Sequence, residues 1–375
     1  MANGNFAGGD GTVNNPYLIE DAHDLNAVRN ELDKHYKLIK DIDLNVPPYN
    51  EGEGWIPIKD FNGVFNGEGN KIENLFIDIP SSYIGEFCGG FFDNVLCASI
   101  VKNLMIKNAN ISINTTNSQV GVLARVCYGK ILNCSVTGGT LFTVGSNNIG
   151  AFAGALVHKE GTSSPALLQN CHSNIVINAT NTGNTSLGGL IGTSNGGSIK
   201  NSYYTGLNPN GKGGLVGRLF DNSGLLSSVT DSFWDKESTG QLTSPGGGTG
   251  LTTQQMQTAQ TFIDAGWDKE VLEDGTPIWI LKDGQYPKLW FEKTPYKFLI
   301  KQNNQYYTIK PEFYSNGQFQ PLTLEGGEQP NENDYENFGF ENIDVLTKEM
   351  TVDVETFRPY EKLNDEFEIL MYVDK

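Results

Sequence analysis

The sequence predicts an all-β protein, a right-handed parallel β-helix (solenoid) with short capping helices and a small β-rich C-terminal module. The first observation is a six-residue line that recurs around an Asn or Asp, as in Ile131-Leu132-Asn133-Cys134-Ser135-Val136. The central residues are Asn74, Asn103, Asn133, Asn170, Asn201 and Asp231, which lie 29, 30, 37, 31 and 30 residues apart. Self-similarity at a nearly fixed period is typical of stacked repeats.

The second observation is a Gly-flanked apolar segment that precedes the Asn line. Examples are Gly188-Gly189-Leu190-Ile191-Gly192 and Gly213-Gly214-Leu215-Val216-Gly217. The apolar runs are too short for helices, so each repeat is predicted to consist of short strands joined by turns. A β-propeller is the alternative, but its blades need about 40–50 residues each. The shorter period therefore favours the β-helix.

The third observation concerns the corner at each Asn. The aliphatic residue two positions before the Asn can point inward together with the residues one and three positions after it only if the chain bends there. Asn and Asp readily adopt the left-handed conformation that such a bend requires. Cys134 and Cys171 occupy the inward position held by Leu75 and Leu104, so we interpret them as small buried hydrophobic residues. No Cys-x-x-Cys pair suggests zinc.

Four segments are predicted along the chain. Residues 1–35 form an N-terminal cap with a short helix, and residues 36–250 form the β-helix, with roughly eight turns at ~4.8 Å each. Residues 251–295 form a C-terminal cap of the solenoid. Residues 296–375 form an acidic, β-rich accessory or assembly module.

The two caps are predicted from helix signals. In the first cap, the pattern over Asp21–Leu32 predicts an amphipathic helix with Asp21 or Asp24 as its N-cap. In the second, Thr252 caps a helix from Thr253 to Ile263. Bulky aromatic residues then close the far end of the solenoid: Trp267, Trp279, Tyr286 and Trp290.

The last segment is predicted to contain a hairpin and a final strand. Alternating residues at 296–301 and 306–310 indicate the hairpin, and residues 366–373 indicate the strand. An acidic loop is expected near 325–337.

Charge and hydropathy argue against several classes of function. The formal net charge is −18, which argues against binding to nucleic acid or to anionic lipid. No run of 18 apolar residues occurs, so no membrane span is expected. The first residues contain neither a basic nor an apolar region, so no signal peptide is expected.

No catalytic residue, metal site or cofactor is predicted from the sequence. Gly192-Thr193-Ser194-Asn195-Gly196 matches a nucleophile elbow, but no helix follows it. Gly206–Gly213 resembles a phosphate loop but lacks the Ser or Thr that would bind Mg²⁺. Asp10, Asp41 and Asp43 could bind calcium, but they are more simply turn and edge residues.

Polysaccharide cleavage is the enzymatic alternative. A hydrolase needs two carboxylates facing one groove, ~5–9.5 Å apart, and a lyase needs a base with cations on consecutive turns. The basic residues between 60 and 235 are sparse, and none occupies the same position in two consecutive repeats.

Binding is predicted instead at the position two residues after each Asn, which should face outward. Aromatic side chains there could stack on sugar rings. The candidate binding residues are Phe76, Met105, His172, Tyr203 and Phe233. The alternative is that the C-terminal module or a neighbouring subunit covers this column.

Several motifs give the chain a family resemblance. It resembles bacterial GLUG-motif β-helix proteins, which occur among surface adhesins, peptidase passenger regions and phage tail proteins. The matching stretches are 6–12, 16–19, 25–29, 36–44, 188–192, 213–217, 232–235, 246–250, 266–267 and 286–287. Together they extend over about 290 residues.

The C-terminal segment resembles a module of tail proteins from phages of Gram-positive bacteria. The resemblance rests on Phe298-Leu299-Ile300-Lys301 and on residues 306–313. It implies a virion tail or baseplate protein that contacts the host surface, with other tail proteins as partners through 296–375 and a host glycan as ligand. Trimers are common among β-helix tail fibres. A bacterial adhesin and a wall or capsule depolymerase are the alternatives.

Overall fold

The computed structural model describes residues 6–292, apart from 84–88, 116–118, 163–164, 181–185 and 221–225. In the C-terminal part it describes the strand backbones. The chain forms two compact units, residues 1–292 and residues 293–375.

Four parallel sheets, named A to D here, make up most of the first unit. Within the described residues, sheet A has eight strands: Tyr17–Ile19, His35–Leu38, Val64–Asn66, Ile100–Lys102, Lys130–Leu132, Leu167–Gln169, Ser198–Lys200 and Ser228–Thr230. Sheet B has ten: Ile42–Asp43, Lys71–Glu73, Phe76–Ile79, Met105–Ile113, Ser135–Val144, His172–Ser173, Val176–Thr180, Tyr203–Tyr204, Phe233–Asp235 and Thr249–Leu251.

The other two sheets are smaller. The five strands of sheet C are Phe92–Val95, Ala124–Cys127, Ala153–Val157, Ile191–Asn195 and Val216–Phe220. The three strands of sheet D are Gln119–Gly121, Asn148–Gly150 and Ser186–Leu187. These counts refer to the part of the chain that the structure describes.

The chain visits the sheets in the same order in successive repeats. One repeat runs from Ile100–Lys102 in sheet A through sheets B, D and C and returns to sheet A at Lys130–Leu132. Paired strands are one repeat apart and parallel, as where Ile131 pairs with Val101 and with Leu168. The predicted all-β architecture with long parallel sheets is confirmed, and its path is that of a β-helix-like coil.

Inward side chains from successive repeats fill the coil. Leu75, Leu104, Cys134 and Cys171 are buried, as expected for the position that follows the Asn. Burial of each large aliphatic side chain contributes roughly 1.5–3 kcal/mol, so the stacked interior supplies most of the favourable free energy of folding. Burial also raises the pKa of the Cys127 thiol to about 12, consistent with a cysteine that acts as a hydrophobic residue.

The Asn corners adopt the predicted left-handed conformation. All six central residues have positive φ, between 44° at Asp231 and 60° at Asn74. Their side chains also form an amide ladder along the coil. Asn170 Nδ2 donates to Asn133 Oδ1 (3.1 Å), and Asn133 Nδ2 donates to Asn103 Oδ1 (3.0 Å). Each corner is therefore held by its neighbours as well as by its own backbone preference.

Asn74, however, does not belong to this column. The Gly67 N–H donates to Lys102 O, which places Gly67 beside Asn103. Asn74 N–H donates to Lys107 O, so Asn74 lies at the next corner of the coil. The first repeat has two more residues between Gly67 and Lys71 than later repeats have at this place. The prediction of one column is thus wrong for Asn74, whose spacing to Asn103 is coincidental.

Short helices flank the coil and are shorter than the sequence predicted. Helix α1 spans Ala22–Ala27 and continues as a 3₁₀ turn at Val28–Asn30. Asp21 is its N-cap and accepts hydrogen bonds from two backbone N–H groups. Leu25 and Val28 join the main core. Helix α2, Lys236–Thr239, follows the last Asn-type corner.

The helix predicted from Thr253 to Ile263 is two helices, α3 (Thr253–Met256) and α4 (Ala259–Asp264). Thr252 and Gln255 form a capping box before α3. A 3₁₀ turn at Trp267–Lys269 follows, and then an antiparallel pair of short strands, Trp279–Ile280 and Lys288–Leu289. Residues 253–292 are called the flank segment below.

The second unit contains antiparallel strands. A four-stranded sheet has the order Gln305–Ile309, Lys297–Gln302, Phe367–Tyr372 and Arg358–Lys362, and Tyr314–Ser315 pairs with Gln318–Phe319. The predicted hairpin and final strand are confirmed. The acidic loop predicted near 325–337 lies outside the described residues.

Candidate functional site

The outward face of sheet B carries most of the predicted binding column. Strand register aligns Met105 with Ser135, Ser135 with His172, His172 with Tyr203, and Tyr203 with Phe233. Phe76 is not in this column, because it pairs with Asn110 instead. The misplacement has the same cause as that of Asn74, the two extra residues of the first repeat.

The flank segment covers the middle of this column. His172 and Tyr203 are only 6% and 3% exposed, so the expectation that they face solvent is wrong. Tyr203 belongs instead to a second hydrophobic cluster with flank residues: Met256, Phe262, Trp267, Ile278, Trp279 and Leu289. Phe233 packs against this cluster while partly buried, and Met105 is half-buried.

The flank segment therefore does more than close the far end of the coil. Trp267 Nε1 donates to Asp231 O in the last repeat (3.0 Å), and Trp279 Nε1 donates to Asn170 Oδ1 (3.3 Å). At the N-terminal end of the coil, Phe291 packs closely against Gly69. A Cβ added to Gly69 would lie only 2.6 Å from Cβ of Phe291. The segment thus runs back along the side of the coil to its first repeat.

Aromatic rings stack where the two layers meet. The rings of His172 and Tyr203 have centroids 4.8 Å apart and an interplanar angle of 3°. Tyr203 also stacks on Tyr286, with centroids 6.3 Å apart, and its hydroxyl donates to Pro287 O. The aromatic side chains of the outward column therefore take part in stacking, as the sequence suggested. Their stacking partners, however, are rings of the same chain.

Polar contacts fix both ends of this stack. His172 Nε2 lies 2.7 Å from Glu292 Oε2, and both side chains are 8% exposed. Burial raises the pKa of Glu292, but His172 and the Leu289 N–H outweigh it, so the pKa lies below its usual value. The pair therefore favours the ionised carboxylate.

A second polar anchor is Asp235. Its Oδ2 accepts from the Tyr286 hydroxyl and from Thr253 Oγ1, each at 2.7 Å, while Oδ1 caps α2. Burial, followed by the hydrogen bond to Asp235, raises the pKa of Tyr286 to about 12. Tyr286 is therefore a neutral donor at physiological pH.

A third anchor is Glu270, which reaches two neighbouring repeats. Its Oε1 lies 3.2 Å from Lys200 Nζ, and its Oε2 accepts from Gln169 Nε2 at 3.1 Å. The sequence offered no signal for Glu270 or Glu292, since each acts through a contact distant in sequence. Asp235 lies in the matching stretch 232–235, but nothing there indicated its contact with Tyr286.

A pocket of about 390 Å³ remains between the two layers, and we call it the flank pocket. His172, Tyr203 and Tyr286 supply its aromatic wall. Its other lining residues are mostly amides, hydroxyls and one ammonium group: Thr137, Asn174, Thr205, Gln257, Gln285 and Lys288. Pockets with an aromatic wall and a few convergent polar groups are typical of small-molecule sites. This one can offer hydrogen bonds to a polyhydroxylated ligand.

The residues of the possible nucleophile elbow and calcium site form structural contacts. Ser194 is buried, and its hydroxyl donates to Gly197 O and contacts Ser227 Oγ. Asp41 pairs with Lys71, and Asp43 accepts from Asn74 Nδ2. Among the described residues, no group of three or more His, Cys, Asp or Glu side chains could hold a metal ion.

Within the same part of the chain, none of the helices has the length and apolar character needed to cross a bilayer.

No protein-family model matches the chain. A candidate Gly-rich membrane protein of Evansella cellulosilytica is 28% identical over 406 residues, covering 75% of this chain and 45% of that protein. Halomucin of Haloquadratum walsbyi is 30% identical over 293 residues, covering 66% of this chain and 3% of halomucin. The chain spans less than half the length of either curated relative.

A solved structure supports the fold. The crystal structure of a candidate immunoglobulin A1 protease from Bacteroides ovatus superposes with a TM-score of 0.53 and 19% sequence identity. The match covers 77% of this chain and 96% of that one. At this level of identity the likeness concerns the fold, and it agrees with the β-helix-like arrangement of parallel sheets described above.

Proposed function

We propose that this chain is a non-enzymatic structural and adhesion protein that binds a saccharide of a bacterial surface in the flank pocket. The observation that carries the proposal is the pocket itself. It joins an aromatic wall at Tyr286 to amide, hydroxyl and ammonium groups from both layers. Aromatic faces and hydrogen-bonding groups together fit a sugar, which has both apolar C–H faces and hydroxyl edges.

Rigidity supports an adhesive role. The flank segment is anchored to the coil at His172, Asp235 and Lys200, so the pocket walls are held in place before a ligand arrives. A preorganised site loses less conformational entropy on binding. We further propose that the coil is a right-handed solenoid, since connections between parallel strands are right-handed in about 98% of cases.

The setting we propose is a phage tail or baseplate. The resemblance to GLUG-motif proteins and, at 298–313, to tail proteins of phages of Gram-positive bacteria supports it. Residues 296–375 would then contact other tail proteins, and a trimer would follow the habit of β-helix tail fibres. A bacterial surface adhesin is the second candidate, because the Evansella relative bears the name of a membrane protein.

Binding to isolated Gram-positive cell walls tests the proposal. We expect labelled protein to sediment with the walls, and Gln257→Ala with Gln285→Ala to weaken binding at least tenfold. Gln260→Ala serves as the matched control, since Gln260 is exposed and lies outside the pocket. Failure to bind any wall preparation would contradict the adhesive role.

Two further measurements separate the alternatives. A reducing-end assay on wall polysaccharide should show no increase with time, whereas a steady increase would establish a depolymerase. Immunogold electron microscopy of purified particles should place the chain in the tail. Labelling of bacterial surfaces without particles would favour the adhesin.

A further inference from the structure

A second cavity lies at the corner between sheets C and A, away from the flank segment, and we call it the corner groove. It has a volume of about 680 Å³. Its lining residues come from four consecutive turns of the coil: Asp60, Asn62, Asn94, Leu96, Cys97, Ala98, Tyr128, Val157, His158, Lys159 and Thr162. With adjacent turns ~4.8 Å apart, the groove extends about 14 Å along the coil.

The floor of the groove is apolar. It is formed by Leu96, Val157 and the ring of Tyr128, all of them partly exposed. Tyr128 makes no aromatic contact and no side-chain hydrogen bond with any residue that the structure describes. A half-exposed tyrosine without a protein partner offers both a flat apolar face and a hydroxyl to a ligand.

One wall is acidic and amide-rich, and it is held in place. Asn94 Nδ2 donates to Asp60 Oδ1 (2.8 Å), and Arg125 donates to Asn94 Oδ1 (2.8 Å). Arg125 is itself fixed by an ion pair with Asp93. The side chain of Asn62, beside this network, has no hydrogen-bond partner among the described residues. This wall therefore presents prepositioned groups for hydroxyls.

The opposite wall is basic. His158 Nε2 lies 3.3 Å from Thr162 O, and Thr162 Oγ1 donates to Lys159 O (2.6 Å), so the 158–162 turn is internally bonded. Lys159 is exposed, and its ammonium group pairs with no carboxylate in the described part of the chain. An exposed ammonium group without a carboxylate partner attracts an anionic group at short distance. The protein's net charge of −18 repels anions at longer range, so an acidic ligand depends on this local contact.

We propose that the corner groove binds a pyranose sugar that carries a carboxylate or phosphate group. The sugar's C–H face would lie against Tyr128, and its acidic group would approach Lys159 on the adjacent turn. Asn62 and Asp60 lie two turns away on the other side of Tyr128, where they would contact hydroxyls of the next unit of a longer saccharide. The combination of apolar floor, polar wall and isolated cation matches these three parts of one ligand. This site shares no residue with the flank pocket, and the proposal is independent of the function proposed above.

Titration calorimetry or saturation-transfer NMR on the full chain tests the groove with three probes. These are glucuronate, glucose 6-phosphate and glucose, which share one ring and differ in charge. We expect at least one acidic probe to bind fivefold or more tightly than glucose. Preference for glucuronate or for glucose 6-phosphate identifies the acidic group. Equal binding of all three probes, or no binding of either acidic probe, overturns the proposal.

Variants locate the site. Lys159→Met should reduce the affinity for the acidic probes to that for glucose, whereas Lys269→Met, at an exposed lysine outside both pockets, should have no effect. Tyr128→Ala should weaken binding of every probe, and Tyr128→Phe should retain most of it. Unchanged binding by Lys159→Met and Tyr128→Ala would place the ligand elsewhere and overturn the proposal.

The flank-pocket variants keep the two hypotheses distinguishable. Gln257→Ala with Gln285→Ala should leave acidic-sugar binding in the corner groove intact. A circular dichroism melt matching that of the unmutated protein shows that each variant is folded.

Discussion

His172 and Glu292 approach to 2.7 Å although 120 residues separate them in the chain. The contact joins the outward face of sheet B to the last residue of the flank segment. Because both side chains are almost fully buried, neither can turn to water if its partner is lost. The pair is therefore one of the buried contacts that attach the flank segment to the coil.

Glu292→Ala should destabilise the protein by about 3 kcal/mol, because removing one partner leaves the other polar group buried without compensation. Urea unfolding, followed by tryptophan fluorescence, measures the change. Glu273→Ala is the control, since Glu273 is exposed in the same segment and should change stability by less than about 0.5 kcal/mol. Equal effects of the two substitutions would contradict the role of the pair.

Acid should weaken the attachment of the flank segment. The pKa of Glu292 is lowered in the folded state, while the unfolded value is about 4.3. Stabilisation from this group is thus fully present above the unfolded pKa and is lost as the pH falls through the folded pKa. Unfolding free energies measured from about pH 6 to pH 3 should fall less steeply for Glu292→Gln than for the unmutated protein. Parallel curves would show that another group controls the acid transition.

Asn133 tests the amide ladder. Its φ is 53°, and its side chain both donates to Asn103 and accepts from Asn170. Asn133→Ala should cost about 3–4 kcal/mol, from left-handed strain of ~1–2 kcal/mol and two lost hydrogen bonds of ~1 kcal/mol each. Asn133→Gly loses the hydrogen bonds without the strain and should cost about 2 kcal/mol. Chemical denaturation should rank the unmutated protein first and the Ala variant last, and a reversed order of Ala and Gly would be inconsistent with the corner conformation.

Gly189 tests the close approach of neighbouring turns. A Cβ there would lie 2.1 Å from Cδ1 of Tyr204 and 2.5 Å from Gly214 O. Tyr204 is fully buried and donates to Ile175 O, so it cannot move aside without losing that bond. Gly189→Ala should cost about 3 kcal/mol or more. Gly52→Ala, where nothing lies within 4 Å, should cost only ~1–2 kcal/mol from its positive φ. Thermal melts of both variants make the comparison.

The repeat could be predicted because its determinants are local. The left-handed conformation depends on the Asn residue itself, and the Gly-flanked segment recurs beside it, so both appear in the sequence. Asn74 shows the limit of this reasoning. It has the predicted conformation but stands in another column, because strand pairing, and not spacing, decides which corners align.

The candidate site was less predictable. His172, Tyr203 and Phe233 align in one column of sheet B, but the segment that covers His172 and Tyr203 could not be foreseen. Trp267 and Trp279 resemble any aromatic cap, and nothing in their local sequence says that they dock beside Tyr203. Contacts between residues far apart in sequence depend on the shape and chemistry of both folded segments, which the local sequence of either one does not show.

The flank segment also restricts the number of turns in the coil. Repeat proteins normally gain or lose whole turns at little cost, because each turn touches only its neighbours. Here one continuous segment contacts the coil at Asp231, at His172 and beside Gly69, which lie on different turns. Inserting or deleting a turn between these contact points would shift them by ~4.8 Å relative to the flank segment and break the contacts. The flank segment therefore restricts the number of turns between them.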